Sequence, residues 1–169
     1  LEGYETGVLL RGRNGQTVFY GGDFIRNQRA IVIGDDSVAT YTHGVEIIGA
    51  DIENNTVSGI DITGRSRSIH LRNIYAETST TASSVFMRIG NGAVTPENVS
   101  IDGLFVSGVS ASLYGIEIQR AIGLSINNVY WTSFANTLIN NIAHSVSDMV
   151  WGPNNIGSPS GTNAISPSA

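Results

Sequence analysis

Five stretches of the chain share one eight-residue pattern, in which the first, third, sixth and eighth positions are apolar or small. Alternation with period two is typical of a strand with one buried side, and the two-residue gap in the middle shifts that alternation. A strand that keeps both halves of the pattern buried must therefore turn a corner at the gap. The five copies begin at Thr17, Val45, Ile69, Val99 and Leu124, and a looser sixth copy begins at His144.

The fifth position of each copy supports this corner. It is always Gly or Asn, the two residues that adopt a positive φ at the least cost. These residues are Gly21, Gly49, Asn73, Gly103 and Asn128. We therefore expect the copies to bend at this position and the bends to stack along one edge of the molecule.

A further apolar segment lies between successive copies, so each period of roughly 20 to 30 residues holds three short strands. No window carries the apolar stripe of an amphipathic helix, and three strands per period with Gly and Asn at the bends are typical of a parallel β-helix. A β-sandwich is the structural alternative, but its hairpins would not repeat a one-residue corner in register. We predict an all-β fold, a right-handed single-stranded parallel β-helix of about six coils.

The predicted β-helix domain covers residues 1–152, and residues 153–169 form a Pro-, Gly- and Ser-rich irregular tail. An open β-helix end exposes unpaired strand edges, and no capping helix precedes Val8. We therefore expect this sequence to be a segment of a longer chain, or a chain whose end is covered by a partner.

Composition narrows the classes of partner. The formal net charge is -5, and all nine basic residues are Arg without a dense basic cluster, so we do not expect nucleic acid as a partner. No apolar run approaches the roughly 20 residues of a membrane span, so we expect no membrane insertion. Cysteine is absent and the three histidines lack ligand spacing, so we expect neither a metal site nor a cofactor.

The corner residues Asn73 and Asn128, flanked by strands of this spacing, resemble the right-handed β-helix of the pectate-lyase-like superfamily, over roughly residues 6–152. With its Gly-rich corners and few charges, the chain resembles the long form of that fold, which is common in bacteriophage tailspikes and tail fibres. The resemblance implies a homotrimer on the virion tail, in the extracellular space, that engages bacterial surface polysaccharide. It is more specific for architecture than for activity, because the superfamily also includes lyases and hydrolases.

Outward positions of successive coils form columns, because each coil of a parallel stack rises about 4.8 Å. One predicted column contains two carboxylates, Asp61 and Glu117, two coils apart, with Arg88 projecting on the same face between them. Two coils correspond to about 9–10 Å, near the upper edge of the separation that inverting glycosidases use. The three residues are candidate catalytic residues of a polysaccharide hydrolase or lyase; alternatively, they solvate the face and pair across coils. The whole column is Leu9, Val32, Asp61, Phe86 and Glu117.

A second predicted column is aromatic in its last three members. Stacked aromatic rings leave an apolar edge exposed unless another molecule or another part of the chain covers it. We predict that Tyr75, Phe105 and Tyr130 form a glycan-binding surface or a subunit interface, and cover by the chain's own tail or loops is a third alternative. The column is Asp23, Asp51, Tyr75, Phe105 and Tyr130.

The function hypothesis that follows is a β-helix segment of a phage tailspike or tail fibre that binds bacterial surface polysaccharide. The first alternative is a polysaccharide depolymerase that acts through Asp61, Glu117 and Arg88. The second alternative is a structural spacer without a site of its own.

Overall fold

The computed structural model describes residues 1–12, 15–34, 40–77, 85–91, 93–107, 114–132, 139–141, 146–147, 150–151 and 165–166, some of them only as backbone. Within these ranges the fold is all-β, and none of the described residues forms a helix that could span a membrane. The strands are β1 Thr6–Leu10, β2 Thr17–Tyr20, β3 Asp23–Ile25, β4 Arg29–Ile33, β5 Thr42–Ile48, β6 Asp51–Glu53, β7 Ser58–Ile62, β8 Ser66–Glu77, β9 Val85–Ile89, β10 Glu97–Ser107, β11 Tyr114–Ile118, β12 Ala121–Thr132, β13 Ile139–Asn141, β14 Val146–Ser147, β15 Val150–Trp151 and β16 Ile165–Ser166.

The strands pair in parallel within two sheets, which is the arrangement of a β-solenoid. One sheet, which we call the short-strand sheet, has the order β1-β4-β7-β9-β11-β13-β16. The other, which we call the bent sheet, has the order β14-β12-β10-β8-β5-β2, with β15 beside β12 and with β6 between β3 and β8. Each complete coil contributes a strand to both sheets, so the parallel β-helix class predicted from the repeat is confirmed.

The apolar positions of the repeat form the core between the sheets. In the second to fourth copies all four inward side chains are at most 1% exposed, as Val45, Ile47, Ala50 and Ile52 illustrate. These residues are mostly β-branched or Leu, which pack well on a pleated surface. The core is therefore a continuous stack of aliphatic layers, with one layer for each coil.

The predicted corners are confirmed, because the fifth position of each copy has a positive φ. The angles at Gly21, Gly49, Asn73, Gly103 and Asn128 are 66°, 69°, 50°, 78° and 53°. A second column of bends, which the repeat did not reveal, lies near the start of the same strands. It consists of Gly44, Ser68, Asn98 and Gly123, with φ between 54° and 66°. The long strands of the bent sheet therefore turn twice.

Two buried asparagines connect the first coils at the end of the bent sheet. Asn55 Oδ1 accepts a hydrogen bond of 2.9 Å from the Asn27 N–H, and Asn55 Nδ2 donates one of 3.1 Å to the Phe24 carbonyl. Asn27 repeats the arrangement one coil earlier, since its Oδ1 accepts from the Tyr4 N–H at 2.9 Å. These side chains bind backbone groups of the neighbouring coil and thereby connect successive coils.

The number of coils is lower than the sequence indicated, about four instead of six. The end copies of the repeat explain the difference. Thr17 and Gly22 occupy two inward positions of the first copy and bury little, while β14 and β15 of the sixth copy are two residues each. Most of the predicted tail, 153–169, lies outside the described residues, so the domain boundary stays a prediction, as does the right-handed sense of the coils.

Candidate functional site

The aromatic side chains of the bent sheet form one column, which we call the aromatic column: Tyr75, Phe105 and Tyr130. Parallel pairing of β8, β10 and β12 places them level with one another in successive coils, as the repeat predicted. The Tyr75 and Phe105 ring centroids are 5.3 Å apart with planes 8° apart, and those of Phe105 and Tyr130 are 5.1 Å and 18° apart. The rings thus stack face to face along the solenoid axis.

The aromatic column is open to solvent. Its rings are 39%, 37% and 41% exposed, in contrast to the fully buried side chains on the inner face of the same strands. The rings border a shallow cavity of about 300 Å³, whose floor includes the corner residues Asn73, Gly103 and Asn128. Each corner residue lies two positions before a ring, so corners and rings line the cavity together in successive coils. The arrangement offers a flat apolar surface beside amide groups that can donate and accept hydrogen bonds.

Four carboxylates extend the same surface toward the N-terminal coils, and we call them the acidic cluster: Asp23, Asp51, Glu53 and Glu77. Asp51 is level with Tyr75 in the neighbouring coil and with Asp23 in the coil before it. Glu53 is level with Glu77, which follows Tyr75 by two residues and therefore lies on the same face. The sequence placed Asp23 and Asp51 in this column, but Glu53 and Glu77 were missed. Their spacing of two residues from Asp51 and Tyr75 was the signal that could have found them.

The carboxylates of the acidic cluster interact with one another and with the nearest ring. Burial raises the pKa of Asp51, Asp23 raises it further, and a hydrogen bond with Glu53 opposes the rise. Burial, followed by the charges of Asp51 and Glu77, raises the pKa of Glu53. Burial also raises the pKa of Tyr75, and Glu77 is the largest of the nearby charges that add to it. None of the ion pairs between described residues involves these four carboxylates, so the cluster is a region of negative potential at one end of the aromatic column.

The candidate catalytic residues form a second column, on the outer face of the short-strand sheet, which we call the charged column: Asp61, Arg88 and Glu117. Parallel pairing of β7, β9 and β11 places them level with one another, so Arg88 lies in the coil between the two carboxylates. Phe86, which the sequence assigned to this column, is instead level with Gly59. Its ring packs over that residue, because a Cβ on Gly59 would lie 2.5 Å from Phe86 Cε2.

Both carboxylates of the charged column have arginine partners. Asp61 Oδ2 lies 3.2 Å from Arg29 Nε, and Glu117 Oε1 lies 3.9 Å from Arg88 Nε. Glu117 Oε1 also accepts a hydrogen bond of 2.8 Å from Gln119 Nε2. Asp61 and Glu117 are only 3% and 9% exposed. A carboxylate that is buried and paired in this way has little access to a polymer substrate.

Burial raises the pKa of Asp61, while the Ser58 hydroxyl and the charges of Arg88 and Arg29 lower it. Ser58 Oγ and Asp61 Oδ1 have no hydrogen bond of standard geometry among the described residues, so we assign most of the compensation to the arginines. A raised pKa suits a general acid, but the same value follows from burial of a structural ion pair. The chemistry that the charged column can do is therefore limited to pairing unless its face opens.

A second cavity, of about 290 Å³, lies at the opposite end of the long strands, near Tyr41, Arg65 and Glu97. Arg67 lies over the Tyr41 ring, 4.6 Å from its centroid, and forms an ion pair of 2.7 Å with Glu97. Tyr41 also donates a hydrogen bond of 3.1 Å to Glu97. Two polar side chains of this cavity, Tyr41 and Glu97, thus bind each other and Arg67.

The described part of the chain contains no group of three or more His, Asp or Glu side chains arranged to hold a metal ion. Comparison of the chain with protein-family models, with curated proteins and with solved structures found no match. The geometry of the two columns is consequently the basis on which we infer the function.

Proposed function

We propose that this β-solenoid binds a bacterial surface polysaccharide along the aromatic column, as a segment of a phage tailspike or tail fibre. The observation that carries the proposal is the stack of three exposed, nearly parallel rings beside a shallow cavity. Sugar rings have flat faces of C–H groups that pack on aromatic rings, while their hydroxyls need hydrogen-bonding partners. The corner amides Asn73 and Asn128 supply such partners at the edge of the column. Asn128 Nδ2 also donates a hydrogen bond of 2.6 Å to Asp102 Oδ1, so Asn128 offers a glycan its Oδ1 and its second N–H.

The periodicity of the column suits a linear polymer. Rings repeat at 5.3 Å and 5.1 Å along the solenoid axis, so an extended glycan that runs along the axis meets a similar surface in each coil. A contiguous exposed apolar patch on a soluble protein commonly marks a binding site, whereas scattered single apolar side chains do not. The assignment to a phage tailspike or tail fibre comes from the sequence alone. The repeat and its corner residues resemble the β-helix of the pectate-lyase-like superfamily, whose long form occurs in such proteins.

Retention of the protein on immobilised bacterial polysaccharides, in a panel that includes lipopolysaccharide O-antigens and capsular glycans, tests the proposal. We expect at least one glycan to retain the chain, and replacement of Phe105 by Ala to weaken that retention. A matched control is Tyr20→Ala, which removes an exposed ring (78% exposed) outside the column. Equal retention of both variants would overturn the proposal.

An interface between copies of the chain, in a homotrimer, is the second candidate for the aromatic column, because burial of three ring edges also stabilises association. Sedimentation of the unmodified chain at micromolar concentration separates the two. A stable trimer that Phe105→Glu dissociates would assign the column to assembly, whereas a monomer leaves it available to a glycan.

A depolymerase that acts through Asp61, Glu117 and Arg88 receives less support from the geometry, since both carboxylates are buried and paired with arginines. Its test is release of reducing or unsaturated ends from a bound polysaccharide. Activity that Glu117→Gln abolishes would restore the enzyme hypothesis. Binding without cleavage would leave the charged column a structural feature. A spacer without a site of its own is the remaining candidate if no glycan binds.

A further inference from the structure

The acidic cluster and the aromatic column are one continuous strip of the bent sheet. The coil with Asp23 comes first, the coil with Asp51 and Glu53 follows, and the coil with Tyr75 and Glu77 is next. Phe105 and Tyr130 continue the strip in the same register. Successive coils are separated by about 4.8 Å, so a polymer on the rings also passes over the carboxylates.

The charge of this strip is one-sided. Ion pairs between described residues join arginines to carboxylates elsewhere, at Glu2, Glu46, Asp61, Glu97 and Glu117. The carboxylates of the acidic cluster instead repel one another, which is a cause of the raised pKa of both Asp51 and Glu53. A cation held between them would relieve this repulsion. An anionic polymer would add to it.

We propose that the glycan bound along the aromatic column carries free amino groups, and that the acidic cluster binds one of these ammonium groups while the rings stack on neighbouring sugars. The inference rests on the proposed function and adds the chemical class of the glycan. An amino sugar presents a C–H face to Tyr75 and a positive charge within reach of Asp51 and Glu53, one coil away. The same charges disfavour uronic-acid polymers, since like charges placed together weaken binding.

The experiment compares two oligosaccharides of matched length and linkage, a glucosamine oligomer and its N-acetylated counterpart, by isothermal titration near pH 6, where the free amines carry charge. We expect the amine form to bind at least about tenfold more tightly, because a charge-assisted hydrogen bond is roughly twice as strong as a neutral one. The preference should shrink as salt is added, because these carboxylates are partly exposed and salt screens them.

Variants assign the preference to residues. The double variant Asp51→Asn/Glu53→Gln should bind both oligomers with similar affinity, while Glu5→Gln, an exposed carboxylate outside the strip, should keep the preference. Phe105→Ala should weaken both oligomers. Circular dichroism checks that the variants fold, and the amides of the double variant can still form a hydrogen bond with each other while the repulsion between the charges is removed.

The outcomes separate this inference from the proposed function. Equal affinity of the two oligomers for the unmodified chain, with loss on Phe105→Ala, overturns the amino-sugar assignment and leaves the aromatic column as the glycan site. If the double variant still prefers the amine oligomer, the preference comes from the net negative charge of the chain. That result also overturns the assignment of the ammonium site to the acidic cluster. Binding of neither oligomer at millimolar concentration contradicts both. Trimer formation that the double variant disrupts assigns the cluster to a second copy of the chain, and the inference fails.

Discussion

The outer faces of the two sheets are built by the same rule, yet they have opposite properties. Each face carries a column of three candidate site residues in successive coils. The register of β8, β10 and β12 positions the aromatic column, and the register of β7, β9 and β11 positions the charged column. The aromatic column is exposed and has no charge to balance. The carboxylates of the charged column are almost fully buried and are paired with Arg29 and Arg88.

This difference shows that chemical type alone does not identify a site on a solenoid. Two carboxylates with an arginine between them have the composition of a catalytic centre. Here the carboxylates form ion pairs with arginines of the same fold, so their charges are already balanced. Aromatic rings with exposed edges have the composition of a core, but they lie where nothing in the described residues covers them. Access to solvent, together with the absence of an internal partner among the described residues, favours the aromatic column as the site.

The largest loss of stability that we expect follows from a substitution at Gly103, a corner residue beside the aromatic column. Gly103→Val places a β-branched residue at a φ of 78°, and its Cβ would lie 2.5 Å from Asn73 Oδ1. Strain and overlap together should destabilise the protein by about 3 kcal/mol, measured by urea denaturation. Gly49→Val is the matched control, because Gly49 has a similar φ of 69° and no atom within 4 Å of its Cβ position. A control that costs as much as Gly103→Val would show that contact with Asn73 is irrelevant.

Arg88→Met should have the next largest effect, and it sharpens the contrast between the faces. Removal of the guanidinium leaves Glu117 without its ion-pair partner and removes one of the two positive charges near Asp61, which keeps Arg29. Since the pair is partly exposed and 3.9 Å long, we expect a loss of about 2 kcal/mol in the free energy of unfolding, below the usual cost of breaking a buried pair. Glycan binding should be unchanged. Weaker binding with normal stability would instead assign Arg88 to a ligand site.

The smallest effect concerns the acidic cluster and pH. Because the folded-state pKa of Asp51 is raised, its contribution to stability is present below its ordinary value of 3.8 and is lost as the pH rises through the folded pKa. At neutral pH, Asp51→Asn should therefore stabilise the protein by about 0.5 kcal/mol relative to the unmodified chain, since exposed charges interact weakly. The advantage should vanish in acid, in thermal unfolding followed at several pH values. The control Glu5→Gln should show no such dependence, and a loss of stability in Asp51→Asn at neutral pH would contradict the account.

The sequence predicted the bent sheet better than the short-strand sheet, for a physical reason. The bent sheet repeats eight positions with a Gly or Asn at a fixed place, so its register and its aromatic column follow from the pattern. The segment Val85–Ile89 has apolar residues on both faces, so the sequence does not show which residue is level with the carboxylates. Phe86 was therefore assigned to the position that Arg88 occupies.

Other features of the candidate site needed coordinates. The partner of Asp61 is Arg29, which comes from a different column and a neighbouring coil, so no spacing rule indicates it. The buried pair Asn27 and Asn55, by contrast, could have been found, because their separation of 28 residues equals that between the first two copies of the repeat. The second column of bends was missed because Ser68 is not a typical residue at positive φ.

The most direct test of the central claim is the affinity of a retained polysaccharide for three proteins: the unmodified chain, Phe105→Ala and Tyr20→Ala. Titration calorimetry measures the affinities, and urea denaturation confirms that the proteins are folded. Loss of one base-stacking ring costs about 1–3 kcal/mol in nucleic-acid sites, and by analogy we expect Phe105→Ala to weaken binding by about tenfold or more. Tyr20→Ala should bind as the unmodified chain does. Unchanged affinity in Phe105→Ala would contradict the claim that the aromatic column is the binding surface of this protein.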